Sequence, residues 1–197
     1  MQCELLGVTK REQVLELAER LTGLSGRPGK KVSYRNLLIK SQATPFTELH
    51  LVQHTLDDQA VTNDSWEVYH EGLLVRGKGF ADLPAVVRSR TTAAYQGRHS
   101  LSLWKHLGFS VSYELVKKGF SYLVYYDDFE LEVLLCSVGP NTPNQQAEEH
   151  ITATCQQYWL LKITTIAPEA QQARAAHAIG AFSKHLEPLV ELRKSST

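Results

Sequence analysis

Cysteine is scarce in this chain: Cys3, Cys136 and Cys155 are the only three in 197 residues, and no two stand in a CxxC spacing. An odd and sparse set excludes a disulfide framework and fits reduced thiols in an intracellular compartment. An excess of either charge is missing as well, since 21 Lys plus Arg balance 21 Asp plus Glu and the formal net charge is zero. A surface for nucleic acid or for anionic lipid normally carries a basic excess, so neither partner is supported. Every apolar run is broken by charge well short of the roughly 20 residues that a membrane-crossing helix needs. Glu4 precedes a very short apolar run with no basic stretch before it. This start predicts no signal peptide and a soluble intracellular protein, in which the sequon Asn63-Asp64-Ser65 carries no meaning.

What is present is ordinary material for a core: 43% of positions are hydrophobic and 21% charged. The length allows one large domain or two small ones. A first helix is predicted from Thr9, placed to cap it, with Glu12 at capping-box spacing and Val14, Leu17, Leu21 and Leu24 recurring at three and four residues. Ser25-Gly26-Arg27-Pro28-Gly29 stops it. The apolar period then changes from 3.6 to 2. Val32–Lys40, Thr47–Leu56, Trp66–Arg76, Val86–Tyr95, Phe109–Lys117, Phe120–Asp127, Phe129–Val138 and Tyr158–Ile166 read as strands bounded by Gly, Pro, Asn or Asp. A short helix is predicted over roughly Arg98–Leu107, ended by Gly108, with Leu101, Trp104 and Leu107 on one face. A last helix follows Pro168 on Ala175, Ile179, Phe182, Leu186 and Leu189, with Pro188 bending or ending it. The stretch at about 139–156, rich in Pro, Asn and Gln, predicts a mobile loop.

Helices at both ends of a run of short strands argue α+β architecture in a single domain over residues 1–197. Strands so numerous close most readily into an antiparallel β-barrel of about eight or more strands, flanked by N-terminal and C-terminal helices.

Few constellations point to chemistry. His50 and His54 are four apart, but on a strand that span is about 13 Å, too long for one ion. Cys136 lies in the apolar run Val133–Val138 and reads as a small hydrophobe. Glu130 and Glu132 share one face of a strand whose other face carries Phe129, Leu131, Val133 and Leu135. Inside a barrel such a pair would hold a divalent cation for phosphate chemistry; on a water-facing side it is simply solvated. The strand Val32–Lys40 supplies no dense basic ring for phosphate. Arg27-Pro28-Gly29-Lys30-Lys31 and Arg76-Gly77-Lys78-Gly79 lack the GxxxxGK spacing of a phosphate loop. The run Phe120–Tyr126 is apolar on both faces, with Phe120, Tyr122, Val124 and Tyr126 on one and Leu123 with Tyr125 on the other. One cover is a helix of this chain; a partner helix is the candidate for the other, which makes Tyr122, Leu123 and Tyr125 the candidate partner-binding residues.

The order of motifs resembles the subunit 18 family of the Mediator head module. The resemblance rests on Leu5-Leu6-Gly7-Val8 leading into the helix with Leu17 to Leu24, Thr44-Pro45-Phe46, Trp66-Glu67-Val68-Tyr69, Leu107-Gly108-Phe109 and Glu114-Leu115-Val116-Lys117-Lys118-Gly119. It continues through Ile163-Thr164-Thr165-Ile166-Ala167-Pro168 and Phe182 to Val190. It implies an antiparallel barrel with flanking helices, no catalysis and a nuclear scaffold role; the residues themselves lead us to expect no cofactor and no metal. It further implies pairing with Mediator subunit 20, a sister barrel, and holding of the C-terminal helix of Mediator subunit 8. The family's barrel is also similar to that of tunnel-type triphosphatases, whose opening strand carries Glu-x-Glu-x-Lys. Here the opening strand offers only Glu4, and the later Glu130-x-Glu132 is followed by Leu134 where the lysine would stand.

Overall fold

A computed structural model describes residues 1–43, 46–55, 62–77, 79–97, 100–140 and 157–194. Strand β1 (Gln2–Lys10) leads through a 3-10 turn into helix α1 (Val14–Ser25), followed by β2 (Lys30–Ser41), β3 (Glu48–Thr55), β4 (Thr62–Leu74) and β5 (Val86–Gln96). Helix α2 (Ser100–His106), β6 (Phe109–Tyr126), β7 (Phe129–Pro140), β8 (Tyr158–Ile166), helix α3 (Gln172–Ser183) and the short β9 (Glu191–Arg193) complete the order.

All pairings are antiparallel, and the sheet runs β5-β4-β3-β2-β6-β7-β8-β1-β9. One extra contact closes it: Gln2, Cys3 and Glu4 of β1 pair with Arg88, Val87 and Val86 of β5. Beyond that point the same edge of β1 is taken over by β9, with Leu6, Gly7 and Val8 opposite Arg193, Leu192 and Glu191. Eight strands therefore form a closed barrel, as expected, and β9 caps the edge where β5 departs.

The apolar core lies outside this barrel, between its outer face and the helices. Phe129, Leu131, Val133 and Leu135 of β7 and Leu161 and Ile163 of β8 pack with Leu17 and Leu21 of α1 and Ile179 and Phe182 of α3. A second cluster places Leu37, Ile39, Leu51, Trp66 and Val68 beneath Leu101 and Trp104 of α2. Strand residues of the opposite parity face the lumen.

Several expectations are corrected. Phe109–Lys117 and Phe120–Asp127 are one continuous strand, β6, through Lys118 and Gly119. Gly119 does not turn the chain. A Cβ there would sit 2.0 Å from the carbonyl oxygen of Leu135, so glycine permits β7 to approach. Thr9 does not cap α1; it belongs to β1, and its hydroxyl donates to the Leu189 carbonyl oxygen at 2.9 Å. The α-helix begins at Val14 and ends at Gly26, whose φ of 68° is the left-handed conformation that glycine accepts. The last α-helix stops at Ser183 rather than continuing to Leu189, and Pro188 follows a cis bond from Glu187. Of the loop expected at about 139–156, Gly139 and Pro140 belong to β7, paired with Val116 and Leu115. Residues 141–156, with Thr44, Pro45, Leu56 and Arg98, lie outside the described residues.

Candidate functional site

Two places on the barrel bear on function: its lumen and the open inner face of β6 and β7. The lumen cavity, about 360 Å³, is lined from seven strands, among others by Tyr34, His54, Glu67, Lys117, Glu132 and Lys162. Cross-strand register fixes who shares it, since paired residues point to the same side. Thr164 lines the cavity and opposes Glu4; Arg90 lines it and opposes Glu71. Among the described residues the lumen face thus carries Arg88, Arg90, Lys117 and Lys162 against Glu4, Glu67, Glu71 and Glu132.

Most of these charges are used up by one another. Lys162 Nζ lies 2.6 Å from Glu4 Oε2, and Glu4 also accepts a hydrogen bond from Gln2 Nε2 at 3.2 Å. Arg90 donates to Glu67 at 2.7 Å and to Gln2 Oε1 at 3.2 Å, with its guanidinium 3.9 Å from the Tyr69 ring centroid. Arg88 pairs with Glu71. Pairing of this kind makes burial of several charges tolerable, and it leaves no converging set of free cations for a polyanionic substrate.

Burial tunes the remaining groups. Tyr34 is pushed up to about 12, first by burial and then by the nearby charge of Glu132. The Tyr69 phenol is raised by burial. His50, stacked on Tyr69 with centroids 4.7 Å apart, is lowered by burial, opposed by Glu71 and assisted by Lys117 and Lys162. Lys117 is lowered by burial and by Lys162. Cys136, also lumen-facing, is pushed up to about 11 by burial and so is a poor nucleophile.

Both sequence-singled histidines face the lumen without approaching a common ion: His50 stacks on Tyr69, and His54 meets the edge of Tyr34 at 4.9 Å. Among the described residues no group of three or more His, Cys, Asp or Glu is placed to hold a metal ion. Glu130 and Glu132 do share the lumen parity of β7, but near the mouth, where both are exposed. Glu130 accepts a hydrogen bond from the Tyr125 hydroxyl at 2.7 Å.

The three candidate partner-binding residues separate. Tyr122 is 4% exposed and belongs to the core beneath α1, so it has no surface to offer and its role is corrected to a structural one. Leu123 and Tyr125 point the other way and are 47% and 74% exposed, opposite Glu132 and Glu130 in the ladder. Ile166, 80% exposed at the end of β8, extends that apolar surface toward the lumen cavity that it lines. Arg88, Arg90 and Lys162 escaped the sequence reading. Their signal is Arg88 and Arg90 alternating along β5 and the lone Lys162 in the apolar β8, which acquires meaning only once strand pairing brings Glu67, Glu71 and Glu4 beside them.

A closed antiparallel barrel with a charged lumen and its core outside, under flanking helices, defines the class of protein. Within that class it is similar to the Hippeastrum protein HpAC1, described by a dominant triphosphatase activity, at TM-score 0.57 and 10% identity over 100% of this chain and 92% of that one. The chain belongs to the Med18 family: the family model described as Med18 protein matches residues 47–195. It is 25% identical to the Arabidopsis thaliana Mediator of RNA polymerase II transcription subunit 18, across 100% of this chain and 88% of that protein. A chain of the Schizosaccharomyces pombe Mediator head module shares its fold at TM-score 0.72 and 15% identity, with 99% of each chain covered.

Proposed function

We propose that this chain is a non-enzymatic scaffold subunit of a Mediator head module, acting in the nucleus in regulated RNA polymerase II transcription. The family match over residues 47–195 carries the reading. The whole chain works as one barrel domain with two kinds of contact. A sister barrel, Mediator subunit 20, docks on it, and the C-terminal helix of Mediator subunit 8 is held by it. Leu123 and Tyr125 are the proposed contact residues, because they form an apolar face on a strand whose other side is already covered by α1. Permanent contacts of this kind bury on the order of 2,000 Å² or more in total.

Likeness of fold to HpAC1 favours a second reading, hydrolysis of a triphosphate with a divalent metal. The paired lumen charges and the single Glu4 on β1 speak against it, since a shared fold does not carry a shared activity. Co-purification of the tagged chain from nuclear extract tests the scaffold reading, which predicts recovery of the sister barrel and the helix-bearing subunit. A monomer that recovers neither overturns it. Turnover of nucleoside triphosphate with magnesium or manganese, abolished by Glu130→Gln with Glu132→Gln, would establish the other reading.

A further inference from the structure

Lumen cations and carboxylates do not all find one another. Lys162, Arg90 and Arg88 each have a carboxylate within ion-pair distance, whereas Lys117, deep in the same cavity, has none among the described residues. Its neighbours sharpen the imbalance. Lys162 acts on it as a like charge, and the carboxylates that act on it, Glu4 and Glu71, are held by Lys162 and Arg88. Glu132 stands toward the mouth and is exposed.

The residues around Lys117 are poised to complete a site. Tyr34 is its cross-strand partner and lines the same cavity, and its hydroxyl has no hydrogen-bond partner among the described residues. Two positions along β2, Asn36 also lines the cavity, and its side-chain oxygen is buried without a partner. An amide turned about its Cβ–Cγ axis presents either oxygen or nitrogen to the lumen, so Asn36 can donate as readily as accept. Tyr34 remains a neutral donor because burial and Glu132 hold its phenol at about 12. A buried ammonium beside a phenol and an amide, in about 360 Å³ of open cavity, offers directional donors that a tetrahedral oxyanion can fill at once.

We infer that the lumen holds one small inorganic oxyanion of phosphate size, bound by Lys117 with Tyr34 and Asn36. This is a structural ligand that neutralises the unpaired cation, and it stabilises the barrel without being turned over. The site is independent of the proposed docking face and of the Mediator role, so its failure would leave both standing.

Thermal unfolding of the full chain in inorganic phosphate, with ionic strength held constant by chloride, tests it. Saturable binding predicts a rise in Tm of about 4 °C at ten times the dissociation constant. The rise is expected to persist in Lys118→Met, which removes the adjacent, exposed lysine on the opposite face, and to disappear in Lys117→Met. Should Lys117→Met fold poorly, Tyr34→Phe removes only a hydroxyl and should weaken phosphate about tenfold. A wild-type Tm that does not respond saturably overturns the inference. So does an undiminished response in Lys117→Met, or in Tyr34→Phe where that variant stands in.

Discussion

Lys162 on β8 places its ammonium 2.6 Å from Oε2 of Glu4 on β1, although the residue directly opposite Glu4 in the ladder is Thr164. The contact is a diagonal across the seam where the first strand meets the eighth, with the carboxylate side chain only 5% exposed. Removing one member leaves the other buried and uncompensated. Glu4→Leu is expected to cost about 3 kcal/mol in urea unfolding, and Glu4→Leu with Lys162→Met much less than the sum of the single changes. Additive losses would show that the pair is not coupled.

Leu123 and Tyr125 should separate assembly from stability. Leu123→Lys and Tyr125→Lys, which set a cation opposite Glu132 and Glu130, are expected to shift the folding free energy by no more than about 0.5 kcal/mol while abolishing partner recovery. Tyr122→Ala, in the core behind them, should instead cost about 3 kcal/mol. Equal destabilisation by all three would place the exposed pair in the core.

Two glycines predict opposite signs. Gly119→Ala forces a Cβ to within 2.0 Å of the Leu135 carbonyl oxygen, and the β6–β7 ladder must part to admit it. A loss of 3 kcal/mol or more is expected, on the order of other overpacking changes. Gly23→Ala, in α1 with nothing within 4 Å of the new carbon, should stabilise by about 0.7 kcal/mol. Denaturant midpoints of the two variants decide the matter.

Acid should expose His50. Its folded pKa lies below the ordinary value because burial disfavours the imidazolium, and Lys117 and Lys162 act in the same direction. Above about pH 6.5 the ring is neutral in both folded and unfolded chains and adds no pH dependence. Below that, the unfolded chain takes up a proton that the folded ring resists, so stability falls as pH drops toward the folded pKa. Comparing urea midpoints at about pH 7 and pH 5.5 should give a smaller drop for His50→Gln than for the parent chain.

The thiols of Cys3 and Cys136 should be silent. Burial raises both to about 11, so almost no thiolate is present at neutral pH. Iodoacetamide labelling read by peptide mass spectrometry is expected to modify neither until urea unfolds the chain. Rapid labelling of Cys136 in the folded state would mean that the lumen opens.

Strand positions were largely legible because one face of each strand packs on a helix-covered core, and that produces the period of two. In β7, Phe129, Leu131, Val133 and Leu135 announce themselves against Glu130 and Glu132. The continuity of β6 was hidden because Lys117-Lys118-Gly119 resembles a turn, while in space it is a place of close backbone approach. Thr9 was misread because its partner, the Leu189 carbonyl, is 180 positions away. The lumen was illegible for the same reason. Arg88 and Glu71 acquire meaning only once the register of β4 and β5 is known, and Lys162 and Glu4 only once β8 lies beside β1. The two-sided apolar run of β6 was readable in pattern, but assigning Tyr122 to the core required the position of α1.

Closure through β1 also orders events in time. Gln2 pairs with both Arg88 and Ile166, and Val8 with both Leu160 and Glu191, so the strand that seals the barrel is synthesised about 80 residues before its first neighbour, β5, and about 150 or more before β8 and β9. Until β8 arrives the barrel cannot close around β1, and Glu4 has no Lys162 to pair with. Folding must await contacts of such separation and should be slow. During that delay the open seam is the most vulnerable part of the nascent chain, and binding partners that arrive early would act as much on its survival as on its final assembly.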